Sequence, residues 1–208
     1  MTAPDDPRVR RWLEELVAAP GLTSVRDLAA ARRLHVDDAL AALPLIDDGP
    51  VVDVGSGGGS PGIPLAAARP DLRFDLLEAS ERKCAFLREA ARAFPNVRVV
   101  RGRAEEHGRG AGRDAYAIAL SRALAPPPVA VEWCLPLVRP GGRLILFAGT
   151  AAAAVTAAAA AKELAAAAPE IVVLPGAESK CLLVFRKLGP TPERFPRRPG
   201  IARKRPLA

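Results

Sequence analysis

The chain has few of the residues that metal sites, disulfide frameworks and membrane spans require. Its 208 residues include only three cysteines and two histidines. The cysteines, at positions 84, 134 and 181, form no C-x-x-C pair, so we predict reduced core thiols and neither a metal site nor a disulfide. An alanine-rich stretch, residues 151–168, is interrupted by a threonine, a lysine and a glutamate. It is too weakly hydrophobic to cross a bilayer, so we expect a cytoplasmic protein without a membrane span.

Aromatic residues are also scarce, at 4% of the chain, although half of all residues are hydrophobic. The core must therefore be built largely from alanine, valine and leucine, and the length suffices for one α/β domain with a modest appendage. Lysine and arginine outnumber aspartate and glutamate by 30 to 23, which gives a net charge of +7. This excess of positive charge favours a polyanionic partner, but it can also serve solubility alone.

Hydrophobic periodicity predicts a doubly wound α/β fold of seven strands that follows a short helical extension. In the extension, one helix covers residues 7–17, and a second runs from a cap at Thr23 or Ser24 through Leu40. The strands are predicted at 51–54, 72–77, 97–101, 116–121, 143–148, 171–174 and 181–187. The helices among them are predicted at 62–69, 81–94, 128–138 and 152–168.

Two turns shape the end of this predicted sheet. Pro140-Gly141-Gly142 is expected to separate a helix from the fifth strand. Residues 175–179 form a loop short enough for a hairpin between the sixth and seventh strands, which makes the last strand antiparallel. We divide the chain into an N-terminal helical extension (1–48), an α/β domain (49–188) and a basic, proline-rich C-terminal tail (189–208).

The glycine-rich stretch from Val51 to Pro64 is the most informative part of the sequence. A short apolar strand runs into a glycine cluster, and helix-compatible sequence follows. This is the place where a parallel α/β sheet binds a nucleotide-like ligand. Glycine is needed there because the backbone turns with positive φ and approaches the ligand closely. The next predicted strand leads into Glu78, whose carboxylate is placed to accept hydrogen bonds from both ribose hydroxyls of an adenosine group.

Two ligands fit this arrangement. Gly57, Gly59 and Gly62 match the dinucleotide pattern G-x-G-x-x-G, but such a match is weak in a loop so rich in glycine. Asp53, Gly55 and Gly57 match the D-x-G-x-G pattern of S-adenosylmethionine (SAM) methyltransferases. The Asp53 carboxylate suits the cationic methionine end of SAM and would repel a pyrophosphate. The residues therefore favour SAM over a dinucleotide, and over a loop that binds no ligand.

Several further motifs follow one another along the chain. Leu-Thr-Ser-Val-Arg-Asp (22–27) and His-Val-Asp-Asp (35–38) precede the loop, whose sequence at 53–64 ends in Pro-Gly-Ile-Pro. Gly-Arg-Ala-Glu-Glu (102–106), Ser-Arg-Ala (121–123) and Pro-Arg-Arg-Pro-Gly (196–200) come after it. In this order, the motifs resemble those of the bacterial 16S rRNA (guanine-N7) methyltransferases, the RsmG/GidB family.

This resemblance implies a Rossmann-like, SAM-dependent methyltransferase that acts on N7 of a guanine in 16S rRNA of the small ribosomal subunit. We take a monomer as the default. Arg122 is expected at the mouth of the pocket as a positioning residue. The cofactor-binding residues are predicted to be Asp53, Gly55, Ser56, Gly57, Gly59, Ser60, Glu78, Ala104, Glu105 and Arg122. The predicted RNA-binding residues are Arg103 and Lys180, and in the tail, where proline and glycine argue against a helix, Arg197, Arg198, Arg203, Lys204 and Arg205.

The implied chemistry requires no catalytic base. Guanine N7 already carries an in-plane lone pair, so the positioning of the reactants supplies much of the acceleration. None of the cysteines stands in the Pro-Cys setting that cytosine C5 methylation would require after the fourth or fifth strand. Two alternatives remain open, a small-molecule SAM methyltransferase and a non-enzymatic RNA-binding assembly protein.

Overall fold

The computed structural model describes residues 5–174 and 180–207, and its centre is one seven-stranded sheet. The strands are β1 Val51–Val54, β2 Phe74–Glu78, β3 Val97–Arg101, β4 Tyr116–Arg122, β5 Val138–Ala148, β6 Glu170–Val173 and β7 Cys181–Arg186. Their order is β3-β2-β1-β4-β5-β7-β6, in which β7 is antiparallel to both β5 and β6 and the other pairs are parallel. The predicted sheet with an antiparallel last strand is confirmed. The predicted loop at 175–179 lies outside the described residues.

Helices cover both faces of this sheet. They are α1 Pro7–Ala18, α2 Leu28–Arg32, α3 Asp38–Leu40, α4 Gly62–Ala68, α5 Glu81–Ala91, α6 Ala104–His107, α7 Pro127–Cys134, α8 Ala153–Glu163 and α9 Ile201–Lys204. α7 and α8 pack with Val52 and Val54 of β1 in one buried cluster. α1 and α5 contribute to a second cluster that includes Leu76 of β2. The carboxyl ends of the parallel strands therefore lie between two layers of helices, where ligands bind in this class of fold.

The second N-terminal helix differs from its prediction. It begins at Leu28 because Asp27, not Thr23 or Ser24, caps it by accepting a hydrogen bond from the Ala30 N–H at 2.7 Å. Its regular geometry also stops early. Residues Arg33–Asp37 form a π-helical turn, in which the N–H of Asp38 bonds to the carbonyl of Arg33.

The turn at Pro140-Gly141-Gly142 lies inside β5 and does not precede it, so this prediction was wrong. Tyr116 pairs with Val138 and Ile118 with Arg143, so the extra residues form an irregularity in the strand. Gly142 is needed there because an added Cβ would lie 2.4 Å from the carbonyl oxygen of Ala117. The preceding helix, predicted to reach residue 138, ends at 134 because the proline at 136 has no N–H to extend it.

Two predictions for the C-terminal half also need correction. α8 ends at Glu163, five residues before its predicted end, because Ala165 adopts a positive φ of 55° and Ala166 pairs with Lys187 beside the sheet. The tail was expected to contain no helix, but Ile201–Lys204 form one helical turn. Burial of neighbouring apolar side chains holds this turn against the body in spite of its poor local propensity.

The described residues contain no helix long and apolar enough to cross a membrane. Residues 5–174 and 180–207 also contain no cluster of three or more His, Cys, Asp or Glu side chains that could hold a metal ion. The three cysteines are buried and unpaired, and burial raises the pKa of each thiol above its ordinary value. They are therefore protonated core residues at neutral pH.

Candidate functional site

The glycine loop rises directly from the end of β1 and is held to β2. The N–H groups of Gly55 and Ser56 both donate to the carbonyl oxygen of Leu77, at 2.8 and 3.2 Å. Gly55, Gly57 and Gly59 have φ values of +72°, +58° and +101°, which side chains with a Cβ rarely adopt. At Gly55 an added Cβ would also lie 2.4 Å from Cδ1 of Leu124. The loop therefore requires glycine at these positions because of the positive φ angles, and at Gly55 also because no space is left for a Cβ.

Asp53 fixes the loop from behind. It is 1% exposed, and its Oδ2 accepts a hydrogen bond from the N–H of Gly62 at the start of α4, at 3.1 Å. Burial raises the pKa of this carboxyl group to about 7. The Ser56 hydroxyl donates to the Asp53 carbonyl at 2.8 Å. The structure thus places Asp53 between the strand and the helix, where it supports the loop from outside the two cavities that the loop borders.

The first of these cavities, the β2-side cavity, has a volume of about 400 Å³ and centres on Glu78. The carboxylate of Glu78 accepts hydrogen bonds from the N–H of Gly57 at 3.0 Å and from the N–H of Ser80 at 2.8 Å. Each oxygen keeps a further lone pair, which suits the two hydroxyls of a ribose. Other lining residues include Val54, Leu77, Lys83, Gly102, Arg103, Ala104, Glu105, Leu124, Trp133, Gly200 and Arg203. Pockets for small molecules have volumes in this range.

The second cavity, the N-terminal cavity, lies between the loop and the N-terminal helices and has a volume of about 480 Å³. It shares Gly55, Lys83 and Ala123 with the β2-side cavity, so the two adjoin at the end of β1. Its other lining residues include Leu16, Leu22, Thr23, Ser24, Leu34, His35, Ser56, Gly57, Gly58, Ser60 and Arg122. Gly59 lines neither cavity. Its N–H donates to the Ser56 carbonyl, and an added Cβ would press on Ile63 at 2.5 Å.

Arg122, the last residue of β4, joins the strand to the N-terminal helices. Its guanidinium donates to the Leu34 carbonyl at 2.6 Å and to Nδ1 of His35 at 2.8 Å. Burial lowers the pKa of Arg122, while the nearby carboxylates of Asp53 and Asp38 act in the opposite direction. Burial, reinforced by the charge of Arg122, also lowers the pKa of His35 to about 4. His35 is therefore neutral at physiological pH.

The proton positions of this network follow from its donors. Arginine has no acceptor, so Nδ1 of His35 must accept and the ring hydrogen resides on Nε2. That hydrogen is donated to Oγ1 of Thr23 at 2.9 Å, which also accepts from the N–H of Val25 at 3.2 Å. With both lone pairs engaged, the Thr23 hydroxyl can donate its own hydrogen to an acceptor in the N-terminal cavity. Ser60 supports the same turn by donating to the His35 carbonyl at 2.7 Å.

The predicted RNA-binding cations fall into three groups. Lys180 and Arg197 are engaged within the protein, Lys180 with Asp38 at 2.7 Å and Arg197 with the buried carboxylate of Glu132. Arg103 and Arg203 line the β2-side cavity. The exposed group comprises Arg198, Lys204 and Arg205.

Lining residues that sequence reasoning missed include Lys83, Thr23, His35 and Trp133. Thr23 and His35 stand in motifs that were recognised, but Thr23 was predicted only as a helix cap and His35 was given no role in the site. Lys83 had a usable signal, since it lies in the first turn of the helix that follows Glu78. Trp133 gave none, because an aromatic residue in an apolar helix normally indicates core.

Comparison with known proteins identifies the family. The family described as "GidB: rRNA small subunit methyltransferase G" matches residues 9–180. The chain belongs to this family. The ribosomal RNA small subunit methyltransferase G of Chloroflexus aggregans is 38% identical over 212 residues, which cover 95% of this chain and 88% of that protein. The protein of the same name from Pelotomaculum thermopropionicum is 39% identical over 194 residues, covering 89% and 81%.

The fold is shared more widely. A SAM-dependent O-methyltransferase from Thermotoga maritima superposes with a TM-score of 0.56 at 16% identity, covering 76% of this chain and 67% of that one. At this level of identity the likeness concerns the fold alone. The family resemblance inferred from the ordered motifs is confirmed, and so is the fold class of Rossmann-like methyltransferases.

Proposed function

We propose that the chain is a SAM-dependent methyltransferase that modifies N7 of a guanine in 16S rRNA of the small ribosomal subunit. One observation carries this proposal: two cavities adjoin at the glycine loop and share Gly55, Lys83 and Ala123, and of their described lining residues the acidic ones, Glu78 and Glu105, belong to the β2-side cavity. A methyl donor in one cavity and a nucleobase in the other would meet at these shared residues. Membership of the family supports the assignment to ribosomal RNA.

The β2-side cavity fits the adenosine part of the donor. Glu78 offers free lone pairs to the ribose, and Ala104 and Glu105 lie beside it at the start of α6. At Gly102 an added Cβ would meet no atom within 4 Å, so the backbone there borders open space that a ligand can fill. SAM bound in this way supplies an electrophilic methyl group, and the chain's own residues have to orient the acceptor.

The N-terminal cavity suits a guanine presented by its N7 edge. This edge carries two acceptors, N7 and O6, and the Thr23 hydroxyl and the Arg122 guanidinium are donors at the cavity wall. His35 cannot remove a proton from the base, because its Nδ1 accepts from Arg122 and its Nε2 carries a hydrogen. N7 needs no deprotonation, so a neutral histidine that holds its neighbours in place is sufficient.

The exposed cations Arg198, Lys204 and Arg205 and the cavity-edge Arg103 form the surface that we assign to rRNA phosphates. We also assign Lys180 to the residues that contact RNA. Its ammonium group pairs with Asp38, next to the π-helical turn. We propose that the protein works as a monomer in the cytoplasm, with the extension (1–48), the α/β domain (49–188) and the tail (189–208) as its parts.

The proposal is tested by methylation of small-subunit RNA in vitro. Purified protein, SAM with a labelled methyl group and 16S rRNA or small subunits that lack the modification are incubated, and the nucleosides are analysed by mass spectrometry. We expect labelled 7-methylguanosine from the wild type and a large loss with Glu78→Gln. Another methylated nucleoside would contradict the guanine assignment. Donor binding without RNA methylation would favour a small-molecule methyltransferase, and RNA binding without donor binding an assembly factor.

A further inference from the structure

The C-terminal segment, residues 195–205, reaches the β2-side cavity from the far end of the chain. Gly200 and Arg203 are among the residues that line this cavity. The N–H of Gly200 donates to Oε1 of Glu105 at 3.2 Å, and Glu105 is only 4% exposed. The segment therefore touches Glu105, which follows Ala104, and the family resemblance implies that these two residues meet the adenine of SAM. Sequence reasoning had assigned the cations of the segment to RNA.

Arg203 lies on an aromatic wall of the same cavity. Its guanidinium carbon is 5.2 Å from the centre of the Trp133 ring, within the range of a cation–π contact. Among the described residues, Nε1 of Trp133 is the buried side-chain nitrogen that lacks a hydrogen-bond partner. The indole is thus positioned by packing and by Arg203, and a planar cation and a planar ring stand together at the adenine end of the cavity.

Strong contacts hold the segment in this place. Arg197 makes a bidentate ion pair with Glu132, which is 1% exposed and precedes Trp133 in α7. Arg113 donates to the carbonyl of Phe195 at 2.6 Å, and the Phe195 side chain is buried. Breaking a buried ion pair by removing one partner is strongly destabilising, so this anchoring makes the segment a fixed wall of the cavity and not a loose arm.

We infer that the C-terminal segment closes the adenine end of the methyl-donor site and that Arg203 is a positioning residue for the donor. This inference rests on the proposed function, since it takes SAM as the ligand of the β2-side cavity. A guanidinium plane stacks on aromatic faces and carries a charge that a purine ring attracts. Arg198, Lys204 and Arg205, the other exposed cations of the segment, do not line the cavity, so they should not share this role.

The test compares SAM affinity in single variants by isothermal titration calorimetry. We expect Arg203→Ala to raise the dissociation constant for SAM about 5-fold, which corresponds to about 1 kcal/mol. Arg198→Ala, an exposed arginine of the same segment, is the matched control and should bind SAM as the wild type does. In RNA methylation, Arg203→Ala should raise the KM for SAM and leave kcat at saturating SAM within twofold.

Other results of these measurements would contradict either the role of Arg203 or the proposed function. Equal SAM affinity of Arg203→Ala and Arg198→Ala would overturn the inference, as would a change confined to the salt dependence of RNA binding. Should Arg203→Ala lower the thermal midpoint, Arg203→Gln, which keeps length and a planar end, must give the same rise in KM for the inference to stand. Failure of the wild-type chain to bind SAM would overturn the proposed function itself, and the inference with it.

Discussion

The two cavities at the end of β1 share a border but differ in their acidic groups. The β2-side cavity presents the carboxylates of Glu78 and Glu105 beside the cations of Lys83, Arg103 and Arg203. None of the described residues that line the N-terminal cavity is acidic, and its polar groups include the guanidinium of Arg122, the hydroxyl of Thr23 and a neutral His35. Carboxylates suit a ligand with hydroxyls and positive charge, whereas donors suit the acceptor edge of a base. The carboxylates therefore distinguish the β2-side cavity from the N-terminal cavity.

The cavities also differ in which end of the chain completes them. Thr23, between α1 and α2, and His35, in the π-helical turn, close one cavity, and Gly200 and Arg203 of the C-terminal segment close the other. The sheet and the glycine loop, which are common to many methyltransferases, supply the shared border and residues on the inner wall of each cavity, such as Glu78 and Arg122. The difference teaches that each cavity is completed by a different end of the chain, although both are built on the same sheet.

The largest effect should come from Glu78→Gln, which replaces the acceptor at the centre of the β2-side cavity. The new amide N–H₂ would face an N–H of Gly57 or Ser80, and the charged acceptor for the ribose would be lost. Hydrogen bonds to charged groups contribute about 1.5–3 kcal/mol each, so we expect SAM affinity to fall on the order of 100-fold. Isothermal titration calorimetry measures the dissociation constant for SAM. Glu106→Gln, exposed in the nearby helix α6, is the control, and a loss below threefold in Glu78→Gln would contradict the assignment.

Arg122→Lys should impair the function of the N-terminal cavity and leave SAM binding in the β2-side cavity nearly unchanged. Lysine keeps the charge but cannot donate to both Leu34 and His35 in the arginine geometry, so the wall of the N-terminal cavity should shift. Small misplacements of a reacting group lower rates strongly, and we expect kcat for rRNA to fall roughly 10- to 100-fold. SAM affinity should change less than threefold. Arg101→Lys, an exposed arginine of β3, serves as the control, and a parallel loss of SAM affinity in Arg122→Lys would show that the cavities are not independent.

The sequence predicted the shared border better than the closing elements. Strand and glycine periodicity are local signals, and they located the seven strands, the loop and Glu78. The ion pairs of Lys180 and Arg197 could not be predicted from the sequence, because their partners, Asp38 and Glu132, lie 142 and 65 residues away along the chain. For the same reason charge alone assigned Arg203 to RNA. Its neighbour Trp133 is known only once the tail is folded onto α7.

The N-terminal cavity should respond to acid through His35. Its pKa falls from an ordinary 6.5 to about 4 on folding, so the unfolded chain binds the proton more tightly between these values. The free energy of unfolding should then drop as the pH falls below 6.5, by about 2 kcal/mol from this group between pH 7 and pH 5. His35→Gln, which cannot titrate, should lack this component in chemical denaturation at the two pH values.

Asp53 changes the free energy of unfolding with pH in the opposite direction to His35. The His35→Gln variant is therefore needed to isolate the contribution of His35. With a pKa raised to about 7, its contribution to stability is fully present below its ordinary pKa of 3.8 and is lost as the pH rises through 7. This contribution is common to the wild type and His35→Gln, so it cancels in their difference. Identical pH profiles for the two proteins would mean that His35 titrates normally.

The smallest effect should come from the exposed tail cations, which line neither cavity. Arg198→Ala should weaken RNA binding a few-fold at low salt and reduce the slope of log affinity against log salt by about 0.7 to 0.9. SAM affinity should stay unchanged. Filter binding at several salt concentrations measures the slope, with Arg92→Ala, directly after the end of α5, as a control for general charge loss. An unchanged slope would remove Arg198 from the RNA surface.

The π-helical turn at Arg33–Asp37 has a consequence for how the N-terminal helices can vary. The wider turn directs the Leu34 carbonyl to Arg122 and the His35 carbonyl to Ser60, so a strand and the glycine loop both attach to it. Successive residues of an α-helix are rotated by about 100°, so deletion of one residue here would swing the preceding side chains away from β4. Point substitutions at the exposed positions of these helices change only the surface, but the number of residues in this turn is fixed by the contacts to β4 and to the glycine loop.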